Sequence, residues 1–185
     1  IIINQIGNKT HFPSIYLSQD ILKDIQNIIL HLTERKTPSH LLLEADIGLE
    51  QTSVLKIALQ YLSLQIFSIS ESEEERLQVE TLREAVKHSA LKENPTVLIC
   101  SCDQYRSKCF KYIFSLIRYS CCEDLWPPHL WRGILLSLKK DFIGDSHYLE
   151  YMDRSEVENI KNIFTENINR YLHICICGTP EYPYN

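Results

Sequence analysis

Apolar residues recur along the chain in two alternating rhythms. Ile21, Leu22, Ile25, Ile28, Ile29 and Leu32 return every three or four positions, which makes one apolar stripe on a helix. Ser18 stands where an N-cap oxygen is needed, and Leu17 and Leu22 are spaced for a hydrophobic staple. Thr37-Pro38 is expected to end this helix, because the residue before a proline is pushed out of the α region. Leu41-Leu42-Leu43 is short and continuously apolar, as a strand covered on both faces should be. Helical spacing resumes with Val54, Leu55, Ala58, Tyr61 and Leu62, and Ile66 to Ile69 predicts a second strand. Ser72-Glu73-Glu74-Glu75 has the form of a capping box and opens a helix expected to reach Ser89. After Pro95, Thr96 to Cys100 predicts a third strand. The next helix carries Tyr105, Cys109, Tyr112, Ile113, Leu116 and Ile117 on one face. Residues 120–150 are less regular, with Trp126-Pro127-Pro128 ahead of a helix bearing Leu130, Trp131, Ile134, Leu135 and Leu138. A second capping-box pattern, Ser155 to Glu158, predicts a helix to Asn169, and Leu172 to Cys177 reads as a fourth strand.

Strands and helices therefore alternate, and the strands are continuous apolar runs. That pattern predicts an α/β fold of three layers, a mostly parallel sheet with helices on both faces. Residues 1–17, broken by Pro13, form an irregular lead-in, and residues 18–185 form the domain. The chain starts at Ile1 without a methionine and stops at Asn185 just after a strand-like run, so it is expected to be a piece of something longer.

Composition narrows the function. Nineteen basic residues stand against 24 acidic ones, for a net charge of -5. Without a basic stripe the chain is a poor partner for a nucleic-acid backbone. No apolar run approaches the roughly 18 to 20 residues of a membrane span, so no membrane partner is expected. Acidic residues 71–75 read as a solvated first helical turn, where negative charge suits the helix dipole. The seven cysteines are odd in number and sit mostly in apolar runs. They read as buried free thiols in a reducing, cytoplasmic compartment.

In a doubly wound sheet, ligands bind at the carboxyl ends of the strands. The first such loop reads Leu43-Glu44-Ala45-Asp46-Ile47-Gly48-Leu49-Glu50-Gln51-Thr52-Ser53 and lies between strand and helix, where a phosphate-binding P-loop would be. Against G-x-x-x-x-G-K-[ST], Ala45 replaces the first glycine, Glu50 the second and Gln51 the lysine. Thr52, with Ser53 beside it, keeps the hydroxyl expected at magnesium. The lost glycines would have let backbone amides turn toward an anion. Glu50 adds bulk and negative charge: at about 5 Å from a phosphate oxygen and an effective dielectric near 20, the repulsion is about 3 kcal/mol. Loss of the lysine removes an attraction of similar size. At the end of the third strand, Asp103 either caps the next helix or supplies the acid for magnesium.

These segments resemble the fourth AAA+ module of dynein heavy chains. Leu41 to Leu43, the degenerate loop and Ser53-Val54-Leu55-Lys56-Ile57-Ala58 are similar to the family's LLLVGVGGSGKQSLTRLA. Ile99 to Gln104 resembles FLFTDxQ, Phe110 to Arg118 resembles FLxxINxLL, and Leu125-Trp126 matches its LF, with Pro127-Pro128-His129-Leu130 where the family has SDDE. Leu172 to Pro180 is similar to LHIVLCMSP. The resemblance covers residues 14–180. It implies a P-loop NTPase-like large subdomain, ending before its last strand and the small helical subdomain, in a microtubule motor. On this register Cys102 takes the place of the magnesium aspartate, with Asp103 one residue late, and Thr179 stands near the γ-phosphate sensor. With the loop so altered, the module itself is expected to be a structural, non-hydrolysing one. ATP or ADP with magnesium would bind only if the site were competent. Implied partners are neighbouring AAA+ modules and, through the parent, microtubules and dynein accessory chains, in the cytoplasm, the cytoskeleton or a cilium.

Two other functions remain open on the residues. One is an active P-loop NTPase in which Thr52, Ser53 and Asp103 hold magnesium and Lys56, about a turn and a half further along the helix, replaces the missing lysine. The other is a non-motor α/β interaction domain. Cys100-x-Cys102 and Cys175-x-Cys177 each place two thiols on one strand face. They read as small hydrophobes, or as four sulfurs of a metal site if the two strands are neighbours. Cys121-Cys122 reads as loop filler and His173 as a hydrogen-bonded sheet histidine, while His129 and His147 lack an evident acid or nucleophile partner. Trp126 and Trp131 are expected to pack within the molecule. Arg118, Arg154 and Arg170 read as surface arginines rather than fingers into a neighbouring module.

Overall fold

Helix α1 (Gln19–Thr33) forms where the first apolar stripe predicts it and buries Ile25, Ile28, Ile29 and Leu32. The Oγ of Ser18 accepts a hydrogen bond from the Ile21 N–H at 3.3 Å, the expected cap. The Oγ1 of Thr33 donates to the carbonyls of Ile29 and Leu30 at 2.9 and 3.0 Å, the second of which is among the four that a helix end leaves open. In the computed structural model, residues 18–33, 40–44, 51–70, 72–101, 107–138 and 153–178 are described. Leu17 of the staple, the Thr37-Pro38 stop and Tyr105 lie outside them.

The elements that follow are β1 (Leu41–Glu44), α2 (Gln51–Leu62), β2 (Gln65–Ser68), α3 (Glu75–Lys92), β3 (Thr96–Ser101), α4 (Lys108–Tyr119), a short 3-10 turn (Glu123–Leu125), α5 (Pro128–Ser137), α6 (Arg154–Tyr171) and β4 (Leu172–Gly178). All four strands are parallel, in the order β1-β4-β3-β2. The chain crosses from β1 to the far edge and then steps back. Right-handed crossovers therefore send α2 to one face and the later helices to the other. The buried residues follow this split. Val97, Ile99, Cys175 and Cys177 pack with α1 and α2, whereas Leu98, Cys100, Leu172 and Ile174 pack with α3 to α6. The chain is thus the three-layer α/β domain that its alternating pattern predicts.

Some local expectations are corrected. Helix α3 is capped by the backbone at Glu74, not by Ser72. The Ser72 hydroxyl is engaged by that of Ser70 at 2.9 Å, and buried Gln78 donates from Nε2 to the carbonyls of Ser70 and Glu73 at 3.0 and 3.2 Å. Helix α6 starts two residues earlier than Ser155 implies: Asp153 is its cap and accepts from the Glu156 N–H at 2.8 Å. Ser107, not Asp103, caps α4, accepting from the Phe110 N–H at 3.3 Å. Cys122 is 6% exposed and belongs to the core, not to loop filler.

With only five glycines in the chain, three helix ends place other residues in the left-handed region. They are Ser63, Glu93 and Ser120, at φ near 53°, at a cost of about 1 kcal/mol each. The Ser120 hydroxyl bonds the side-chain oxygen of Asn169, and the Nδ2 of Asn167 donates to the Ala90 carbonyl at 2.8 Å, tying α6 to α3. Trp126 and Trp131 stack at 5.5 Å, and Phe164 meets both edge-on at 6.3 and 5.0 Å. The tryptophans therefore pack within the molecule, as expected.

Candidate functional site

The carboxyl ends of β1, β4 and β3 lie side by side. Glu44 pairs with Gly178, and Ser101 pairs with Cys177. The helices after β1 and after β3 pack on opposite faces of the sheet, and the carboxyl ends of strands at such a reversal are where doubly wound sheets bind ligands. β1 ends at Glu44 and α2 begins at Gln51. Six residues thus join strand to helix, and Gln51, Thr52 and Ser53 form the first helical turn. This is the frame that the P-loop spacing requires.

Most of the sequence-derived site falls outside the described residues: Ala45, Gly48, Glu50, Cys102, Asp103 and Thr179. Ser53 is half-buried in the first turn of α2. Lys56, the possible stand-in for the missing lysine, is exposed, while Leu55, Ile57, Ala58 and Leu59 around it are buried. Its ammonium therefore leaves the helix on the solvent side and not along the face packed on the sheet. No acidic residue occupies the first turn of α2.

The four-sulfur arrangement is overturned by register. Ile99 pairs with Cys175 and Cys100 with Ile176, so Cys100 faces the α3–α6 core while Cys175 and Cys177 face α1 and α2. The sheet separates Cys100 from Cys175 and Cys177, and Cys102 lies outside the described residues. Among the described residues no group of three or more His, Cys, Asp or Glu could hold a metal. Burial, aided by Glu75, pushes the Cys109 thiol up to about 12. Burial, aided by Cys177, does the same to Cys175. Cys121 rises to about 11, chiefly through burial and then Glu123. These sulfurs remain thiols at neutral pH and pack as small apolar groups, not as nucleophiles.

One feature escaped the sequence reading. His173, 9% exposed in β4, has a companion in His40, just ahead of β1. The His40 Nδ1 accepts a hydrogen bond from the Ile174 N–H at 3.2 Å, and its Nε2 is buried without a hydrogen-bond partner. Burial and the nearby His173 hold the His40 pKa down to about 4. The two histidines lie at the amino ends of the strands, away from the connection between β1 and α2. Their pairing depends on β1 lying beside β4, a long-range fact with no local sequence signal. His129, Arg118, Arg154 and Arg170 are exposed, and His147 lies outside the described residues.

Among the described residues no helix is long and apolar enough to cross a membrane. No family model matches the chain, and no curated protein matches it.

Proposed function

We propose that the chain is the large subdomain of an AAA+ ring module, resembling the fourth module of dynein heavy chains, in which the nucleotide site no longer works. Its role is mechanical: it fills a place in the ring, packs on neighbouring modules and passes strain between a working ATPase site elsewhere and the track-binding stalk. The parent would act on microtubules, with its accessory chains, in the cytoskeleton or a cilium.

One observation carries the reading. The strand, the six-residue connection and the helix start have the spacing of a P-loop, and aligned on its motif Glu50 and Gln51 fall where the glycine and the phosphate-binding lysine would be. A frame without its cation and glycines can still position α2 against the sheet. It cannot offset the charge of a triphosphate. The exposure of Lys56 counts against the active-NTPase alternative.

Calorimetric titration with ATP and magnesium tests this. The expected result is no heat of binding at micromolar nucleotide and no rise in melting temperature. Micromolar affinity would defeat the proposal. The double variant Glu50→Gly, Gln51→Lys is expected to gain measurable nucleotide binding, since it restores both the turn and the cation.

A further inference from the structure

A recess lies at the amino ends of the strands, the end of the sheet away from the P-loop-like connection, with a volume of about 690 Å³. That is the size range of small-molecule sites. Its apolar walls are Leu32 from the end of α1, Leu62 and Leu64 from the end of α2, and Pro95 ahead of β3. Its polar side chains include Arg170, at the end of α6, and His173, on the strand floor. The Arg170 guanidinium stands 6.0 Å over the Tyr171 ring, which also lines the recess.

Three helices end here, and open helix carboxyl ends would normally give such a place a negative potential. Some of the carbonyls at the ends of α1 and α2 are satisfied locally. Thr33 Oγ1 donates to the carbonyls of Ile29 and Leu30, and the N–H groups of Ser63 and Leu64 donate to the carbonyls of Gln60 and Leu59 at 3.2 and 3.4 Å. No acidic side chain is among the described lining residues. Among the described lining residues Arg170 carries the fixed charge, and the leucines, the proline and the Tyr171 ring set the character of the walls.

We propose that this recess binds a small organic anion, an apolar or aromatic body bearing one carboxylate or phosphate. Arg170 meets the anion, and Leu62, Leu64 and Pro95 enclose the body. The site is independent of whether the loop after β1 binds nucleotide.

The test titrates the chain with naphthoate, naphthyl phosphate, the neutral naphthylmethanol and the cationic naphthylmethylammonium. Binding is followed by calorimetry and by the His173 ring signals in NMR. At least one anion is expected to bind saturably, one-to-one, with movement of the His173 signals, and the two anions compared show which headgroup is preferred. Arg170→Gln, at an exposed position, should keep the melting temperature. It should weaken the anion about tenfold, the effect of losing one charge-assisted hydrogen bond, and leave the neutral probe unchanged. Leu64→Trp should fill the recess and exclude every probe. Absence of saturable binding, equal affinity for the cationic probe, or full anion affinity in Arg170→Gln would each overturn the proposal.

Discussion

The charge state of the His40 imidazole is tied to the fold. Its Nδ1 accepts from the Ile174 N–H, which only an unprotonated nitrogen can do. Burial and His173 lower its pKa to about 4 from the ordinary 6.5. Between those two values the unfolded chain takes up a proton that the folded chain refuses, so stability falls as pH drops through that window and is fully present above it. The loss is about 2 kcal/mol once the partial exposure of the ring is allowed for. Glutamine keeps an acceptor but cannot titrate, so His40→Gln should fold and lose less stability than the parent between pH 7 and pH 4. Urea unfolding of both proteins at the two pH values measures the difference, and parallel losses would assign the titration to other groups. Phe164, fully buried against both tryptophans, gives a second residue-scale expectation. Phe164→Ala should cost about 3–5 kcal/mol in the same assay, and a cost below 1 kcal/mol would mean that the aromatic cluster collapses around the gap.

Capping shows how far local pattern specifies an element. Residues 153–158 offer two overlapping start signals, Asp153 with Glu156 and Ser155 with Glu158, and the chain uses the earlier one. Asp153→Ala should therefore lower stability by about 1 kcal/mol, while Ser155→Ala, exposed inside the first turn, should stay within about 0.5 kcal/mol. Equal losses would move the cap back to Ser155. Helix faces were legible because their periodicity is local: the described residues of the stripes read in α1 and α4 are buried or half-buried, and so is the stripe in α5 except for Leu130, which is 47% exposed. The Ser72 cap was misread because the partners that claim that turn, Ser70 and Gln78, are not part of the capping pattern. What local pattern could not give was pairing. The run Leu41 to Leu43 implied a strand covered on both faces, yet Leu42 is 52% exposed. The cysteines could be placed on strand faces, but which faces coincide depended on the one-residue offset between β3 and β4. The candidate loop was legible as strand, connection and helix start, because its spacing is local too, and the His40–His173 pair was not.

At the scale of the whole molecule, the sheet order fixes what holds the candidate site. β3 and β4 have strands on both sides and helices on both faces, so their buried amides are expected to exchange with solvent only through global unfolding. β1 pairs with β4 alone among the described residues and alternates half-buried with exposed positions. It nonetheless carries the connection to α2. In a working nucleotide site, the ligand would bridge that connection to the ends of β3 and β4 and slow exchange across all three by mass action. Where the site cannot hold a triphosphate, nothing supplies this bridge. Hydrogen–deuterium exchange should therefore find Leu98 to Cys100 and Ile174 to Ile176 slowest. Leu41 to Glu44 and the first turn of α2 should be faster, unchanged by ATP and magnesium. Slowing of that first turn by nucleotide would restore the active-site reading. Exchange in β1 as slow as in β3, without nucleotide, would instead mean that the outer edge of β1 is covered by a further strand.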